Sequence, residues 1–296
     1  MKTLRKSAEQ AAAALRQAFP ELGSPAAFLQ VGTGFDLAGL LDREYGRIPL
    51  SRLPDMPDAP SPAGHPLELV CGDCAGARVL IALGHRHVYE GHGVRAAVLP
   101  VCAAALCGTR NILLFGRADS LRPDLKPGTL VMLIDYINSM GASPLLGNAD
   151  LGNEAFPDLR EAYAQELIAA LINAADEVGL SSRLGVYQAN LGPQFPTPGE
   201  AEVARRNGAD LTGFSLVPET IAARAMGCRV AAVALVTNLA PSPGTRPVTF
   251  ADCSNEAGLA SPDIVRALRV FFAEYGSNTI VAPRYPPRPP PEKSAP

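Results

Sequence analysis

Residues 208–238 read GADLTGFSLVPETIAARAMGCRVAAVALVTN, and three elements follow from that stretch alone. Leu211 to Phe214 is a short strand. Pro218 to Met226 is a helix, with proline in the first turn and Gly227 just past the last, the asymmetry that helix ends favour. Arg229 to Asn238 is a long strand without polar alternation, so both of its faces must be covered, as in a sheet with helices packed on either side.

The same alternation continues outward. Upstream, Gly199 to Asn207 reads as a helix and Val186 to Leu191 as a strand, while Asp158 to Val178 carries Leu159, Tyr163, Leu167 and Leu171 at helical spacing. Strands are expected at Asn111–Phe115 and, after the Pro127-Gly128 turn, at Thr129–Asn138, with Val94 to Cys107 as a buried helix. Near the N-terminus, Ala8 to Phe19 is an alanine-rich amphipathic helix. Ala26 to Val31 then runs as a buried strand into the Gly32-Thr33-Gly34 turn. The expectation is one α/β domain over residues 1–283, a twisted mixed central sheet flanked by helices. The Pro-rich segment 284–296 cannot make a packed element and reads as a disordered tail.

Composition narrows the function. With 296 residues, 47% of them hydrophobic, the chain can bury a large core. A net charge of -3 with no long basic run removes the electrostatic footprint of a nucleic-acid binder. The longest apolar stretch, Ala96 to Cys107, is broken by Pro100 and is far shorter than the roughly 20 residues of a membrane span. The basic N-terminus lacks the apolar core of a signal peptide, which leads to the expectation of a cytoplasmic protein. Among six cysteines, Cys71-Gly72-Asp73-Cys74 has the spacing of half a zinc site, but no second pair completes it. The reading is a β-hairpin turning at Gly72-Asp73, and no metal is expected.

Two local clusters suggest chemistry. Gly32-Thr33-Gly34 is a glycine turn after a buried strand. His85, Arg86 and His87, beside Tyr89 and Glu90, concentrate donors and positive charge in a glycine-bounded loop suited to an anion.

The order of five such features resembles the trimeric branch of the purine nucleoside phosphorylases, over roughly Phe28 to Phe272. Gly32-Thr33-Gly34 is similar to the family's phosphate loop, and His87-Val88-Tyr89-Glu90-Gly91 to its His-x-Tyr-Glu-Gly segment. Pro127 to Leu130 with Ile134 to Asn138 resembles its central strand, Gly208 to Glu219 its Gly-Ala-Asp signature, and Val236-Thr237-Asn238 its base-side Thr-Asn. The resemblance implies the nucleoside phosphorylase fold, a homotrimer, no cofactor, and inorganic phosphate as co-substrate with a nucleoside. It implies that Thr33, His85, His87, Arg117 and Ser215 hold phosphate, that Tyr89 and Phe214 contact the ribose, and that Phe195 and Asn238 hold the base. His87 and Asn238 would be catalytic. Anion beneath the sugar stabilises an oxocarbenium-like carbon and captures it, while an amide can donate to or accept from the leaving base.

The chain also departs from that pattern. His85 stands where the family has an arginine, although Arg86 is next to it. Gly116-Arg117-Ala118-Asp119-Ser120 replaces Asn-Ala-Ala-Gly-Gly, which puts a bulky cation where a small residue is usual and either supplies the missing charge or fills the site. Phe195-Pro196-Thr197 replaces Phe-Glu-Thr and loses the carboxylate that anchors a 6-oxopurine. The related methylthioadenosine phosphorylases also lack that glutamate, but they carry aspartate at the position of Asn238. Leu151 or its neighbours stand where an adjacent subunit usually lends an aromatic lid. An altered enzyme with another nucleoside or acceptor, or a silent nucleoside-binding homologue, is the alternative reading.

Overall fold

Three parallel strands carry the loops that matter here, and the rest of the chain is arranged around them. A computed structural model describes residues 3–60, 66–148, 156–242 and 247–275; the expected tail at 284–296 and Leu151 lie outside the described residues. In chain order the elements are α1 (Leu4–Ala18), β1 (Ala27–Val31), β2 (Arg43–Pro49), β3 (Glu68–Cys74), β4 (Ala77–Leu83), α2 (Gly93–Leu106), β5 (Asn111–Ser120), β6 (Leu130–Asn138), α3 (Gln165–Glu177), β7 (Ser182–Ala189), α4 (Pro198–Arg206), β8 (Leu211–Gly213), α5 (Val217–Ala225), β9 (Arg229–Leu239) and α6 (Phe250–Tyr275).

The strands form one nine-stranded mixed sheet in the order β2-β3-β4-β1-β5-β8-β7-β6-β9. β9 also pairs with β5, in parallel register from Asn111↔Arg229 to Ser120↔Leu239, so β5, β8, β7, β6 and β9 close into a ring. Closure removes the edge that so apolar a strand as β9 would otherwise expose; every residue of β9 between Arg229 and Leu239 is buried. Helix α1 packs on α2 and α2 on α5, while α3 packs on α6, giving the helical cover that two-faced apolar strands require. The expected mixed sheet flanked by helices is therefore present, with ring closure as the addition.

Two expectations are corrected. The hairpin of β3 and β4 turns at Ala75-Gly76 rather than Gly72-Asp73; Ala75 and Gly76 take φ of 48° and 85°, the left-handed pair that a tight two-residue turn needs. Cys71 and Cys74 lie within β3, and burial pushes their thiols up to about 11 and about 12. Helix α3 begins only at Gln165. The preceding turn is held instead by Arg160 against Asp158 and by the Ala164 N–H, which donates to Val230 O on β9 at 2.7 Å. Strand β2 and the long α6 were not anticipated: β2 is largely exposed, and α6 carries Pro262 within a mixed polar sequence.

Candidate active site

Strand β1 lies between β4 and β5, parallel to both, with Val31 opposite Leu83 on one side and Phe115 on the other. The chain therefore leaves all three strands at the same sheet end: β1 into Gly32-Thr33, β4 into His85–Tyr89, while β5 runs on through Gly116 and Arg117. Crevices at the carboxyl ends of parallel strands are the usual ligand sites of such sheets. A cavity of about 310 Å³ opens there, lined by Gly32, Thr33, His87, Tyr89, Gly116, Arg117, Ala118, Asp119, Pro193, Phe195, Gly213, Phe214, Ser215, Thr237, Phe250 and Cys253.

Local geometry explains how these residues are held. Gly34 has φ of 88°, and a Cβ there would sit 2.9 Å from the backbone of Ser254 on α6, so only glycine lets the Thr33 loop pass beneath that helix. Ser215, Leu216 and Val217 form a tight turn in which the Val217 N–H donates to Ser215 O at 2.9 Å and Leu216 takes φ of 73°. Such a conformation is strained for a branched residue, and strain of this kind gathers at functional sites. Its effect is to start α5 without a side-chain cap, leaving Ser215 beside the positive end of the helix and facing the cavity. The Ser215 N–H donates to Tyr187 Oη at 3.4 Å.

The histidine loop divides its work. His87 lines the cavity; its backbone N–H donates to Glu90 Oε1 at 2.7 Å and its Nδ1 lies 3.5 Å from the same oxygen. Burial lowers the His87 pKa, with Glu90 opposing that shift and Arg117 adding to it, so the ring is neutral near pH 7. Arg86 turns away. Its guanidinium pairs with Glu90 Oε2 at 2.7 Å and donates to the carbonyls of Pro57, Ala59 and Pro60, bracing the loop from behind. Nor is His85 at the wall: it is 1% exposed, lies behind His87 with its ring tilted by 37° and the centroids 4.1 Å apart, and approaches Glu219 Oε1 at 3.7 Å. That contact joins two buried groups rather than two charges, because burial lifts the Glu219 carboxyl to about 7 despite the hydrogen bond from Gln30 Nε2 at 3.2 Å.

Arg117 is in the cavity wall and does not fill it. Its Nη1 donates to Ser254 Oγ at 2.8 Å and its guanidinium lies over Phe250 at 4.7 Å, while its charge reaches His87 and Tyr89. It is the cation among the described lining residues, partly desolvated and hence strongly felt by an anion.

An aromatic wall continues from the histidine. Tyr89 stacks on His87 at 4.7 Å and meets Phe214 edge-on at 6.2 Å, and Phe214 contacts Phe195 at 6.2 Å. Phe195 also borders a second cavity of about 210 Å³, and it is this one that Asn238 lines. Thus Thr33, His87, Tyr89, Arg117, Phe195, Phe214 and Ser215 come together, while His85 and Asn238 stand behind or beside them. Pro196 is buried and Thr197 caps α4, its hydroxyl accepting from the Glu200 N–H.

Sequence reasoning missed Asp119, Phe250 and Cys253. For Asp119 a signal existed, an acid two residues beyond Arg117 in a strand that begins with the apolar run 112–115. It is 6% exposed, and burial raises its carboxyl to about 6 against the lowering effects of Asn238 and Arg117. Phe250 and Cys253 arrive from α6, for which no sequence signal pointed to the site. No group of three or more His, Cys, Asp or Glu among the described residues is placed to hold a metal.

Known proteins are similar to this chain in sequence and in fold. The family model of the phosphorylase superfamily matches residues 28–272. Purine nucleoside phosphorylase 1 of Geobacillus stearothermophilus is 32% identical over 275 residues, 93% of this chain and 99% of that protein. The purine nucleoside phosphorylase of Mycobacterium leprae is 38% identical over 239 residues, 80% of this chain and 85% of that one. Among solved structures, Schistosoma mansoni purine nucleoside phosphorylase in complex with inosine superposes with a TM-score of 0.84 at 26% identity, covering 92% of this chain and 98% of that one. With fold and relatives in agreement, the chain belongs to the phosphorylase superfamily, within its purine nucleoside phosphorylases.

Proposed function

We propose that this cavity performs phosphorolysis of a purine nucleoside, moving a pentosyl group from the base to phosphate. The observation that carries the reading is the meeting of two hydroxyls, an imidazole and a guanidinium, from Thr33, Ser215, His87 and Arg117, against an aromatic wall in one cavity. Phosphate binds to these donors and to the positive end of α5. The ribose lies along Tyr89 and Phe214, and the purine stacks on Phe195. As the bond from sugar to base stretches, the bound dianion stabilises the cationic anomeric carbon and then captures it. His85 acts through His87, which it backs, and not as a direct ligand. Arg117 takes over the charge that an arginine at position 85 would supply. Phosphate is the co-substrate, and the protein needs no further cofactor.

The assembly we infer is a homotrimer, supported by Leu146 and Phe156, 80% and 94% exposed on either side of the segment where the resemblance places a subunit contact. No described helix is long and apolar enough to cross a membrane, and we place the protein in the cytoplasm. The test is a nucleoside panel incubated with and without phosphate while free base is followed. Release that requires phosphate is the expected result; equal release without phosphate overturns the reading in favour of hydrolysis, and binding of bases without turnover overturns it in favour of a sensor.

A further inference from the structure

In the paired register of β5 and β9, Asp119 stands directly opposite Asn238. The Asn238 carbonyl oxygen is fully engaged within the protein. That oxygen accepts from Thr237 Oγ1 at 2.9 Å and from Cys253 Sγ at 3.3 Å, while Nδ2 donates to Leu239 O at 3.2 Å and the amide lowers the pKa of the Asp119 carboxyl opposite. An amide oxygen has two acceptor lone pairs, so the Asn238 Oδ1 has none left for an N–H of the base. Alongside Thr237, the strand pair presents Asp119 to the main cavity, with Asn238 as its cross-strand neighbour. We propose that Asp119 is the residue that reads and protonates the leaving base, and that it selects 6-aminopurine nucleosides over 6-oxopurine ones.

The selection follows from hydrogen-bond polarity. A carboxylic acid offers one O–H donor and one carbonyl acceptor side by side. A 6-aminopurine offers the matching pair, an N7 acceptor and an exocyclic N–H donor. A 6-oxopurine offers two acceptors on that edge, so the carbonyl of the acid faces O6 and loses its partner, the kind of mismatch that sites built on buried polar groups reject. Pro196 provides no group for the opposite edge of an oxopurine. A carboxyl lifted to about 6 by burial keeps a protonated fraction close to neutral pH. The charged and titratable groups around it are Arg117 on its own strand, Tyr187 on β7 and Cys253 on α6. Burial holds the tyrosine and the cysteine neutral, so Arg117 is the formal charge that opposes protonation.

The step balances. The bond from C1′ to N9 breaks with its electron pair passing to the imidazole ring, and the Asp119 proton moves to N7. An oxygen of the phosphate dianion bonds to C1′. The sugar phosphate, left with one acidic proton, returns it to the carboxylate, so nucleoside and phosphate become neutral base and pentose 1-phosphate dianion.

This inference rests on the phosphorolysis reading, and the experiment separates the two. Initial rates with adenosine and inosine, and calorimetric binding of free adenine and hypoxanthine, are measured for the wild-type protein, Asp119→Asn and Asp119→Leu. Wild type is expected to favour adenosine in kcat/KM, and adenine in binding, by about tenfold or more. Asp119→Asn keeps donor and acceptor but has no proton to give, so its kcat on adenosine falls about a hundredfold with little change in KM. Asp119→Leu also loses the preference for adenine over hypoxanthine. Thermal unfolding confirms that each variant folds. Absence of phosphate-dependent release from either nucleoside removes the phosphorolysis reading, and the base-binding comparison then still decides the role of Asp119 in recognition. Equal or better use of inosine, or an undiminished adenine preference in Asp119→Leu, overturns the inference.

Discussion

Replacing Arg117 by methionine keeps most of the side-chain stem against Phe250 and removes only the charge and its donors. In the structure the guanidinium is pinned by Ser254 and by the Phe250 ring, and burial already disfavours its charged form. Two consequences point in opposite directions. For function, losing one charge-assisted hydrogen bond to phosphate costs about 1.5–3 kcal/mol, a fall of about 10- to 150-fold in kcat/KM for phosphate. For stability, removing a partly desolvated cation and filling its space with an apolar chain is close to neutral, within about 1 kcal/mol, because the desolvation cost disappears with the charge. The assay is initial rate against phosphate concentration at saturating nucleoside, beside thermal unfolding of both proteins. Arg117→Lys, which keeps a point charge and loses the planar fork, should fall between the two. An unchanged phosphate KM refutes the assignment. A large drop in Tm together with activity makes Arg117 a strut between β5 and α6 rather than a ligand.

Other residues give sharper single readouts. Phe195→Ala should raise the nucleoside KM by about tenfold through lost base stacking and leave the phosphate KM unchanged; initial rates with each substrate varied in turn check this. Glu219 is buried with its carboxyl raised from 4.5 to about 7, so the folded state holds a proton that the unfolded state has already released. Its stabilising effect is therefore complete below pH 4.5 and is lost as pH rises to 7, by about 3 kcal/mol. Glu219→Gln should flatten that slope in denaturant melts across the same window, and an unaltered slope shows the carboxylate is solvated. Gly213→Ala places a methyl group against the Tyr187 hydroxyl, and should lower stability by about 1–3 kcal/mol in thermal unfolding.

How much of this was legible in the sequence depends on whether a feature is carried by neighbours along the chain or by partners across it. Thr33, His87, Tyr89, Phe214 and Ser215 sit in short contiguous motifs at strand ends, and all five line one cavity. The α5 and β9 elements were legible for the same reason, since proline, glycine and an unbroken apolar run mark them locally. Closure of the ring was not, because the pairing of β5 with β9 joins residues more than a hundred positions apart and leaves no local periodicity. The start of α3 was misplaced because Ala164 hydrogen-bonds to β9, a tertiary contact that overrides the helical pattern of Leu159 and Tyr163. Asn238 shows a subtler limit: its position in the chain matches the motif, yet Cys253 and Thr237 occupy its Oδ1, and neither contact could be read from spacing.

The departures at positions 85 and 117 form one change rather than two. His85 at the end of β4 and Arg117 on β5 approach the same cavity from adjoining sides of β1, His85 from behind the ring of His87 and Arg117 from the wall. If the phosphate site needs one cation and β5 now provides it, an arginine at 85 is redundant beside Arg117 and valuable without it. His85→Arg in the native background adds a second buried cation to the site that Arg117 already serves, beside the buried Glu219 carboxyl, and should leave phosphate affinity unchanged or weaker. In the Arg117→Ala background the same substitution should recover at least about tenfold in kcat/KM for phosphate, since Glu219 becomes ionised beside the new guanidinium and orients it as it now faces His85. The cycle then shows a coupling above about 1.4 kcal/mol, far outside the additivity expected of independent sites. Additive effects would mean that the two positions act on different parts of the ligand, and the idea of a cation transferred from one strand to the next would be wrong.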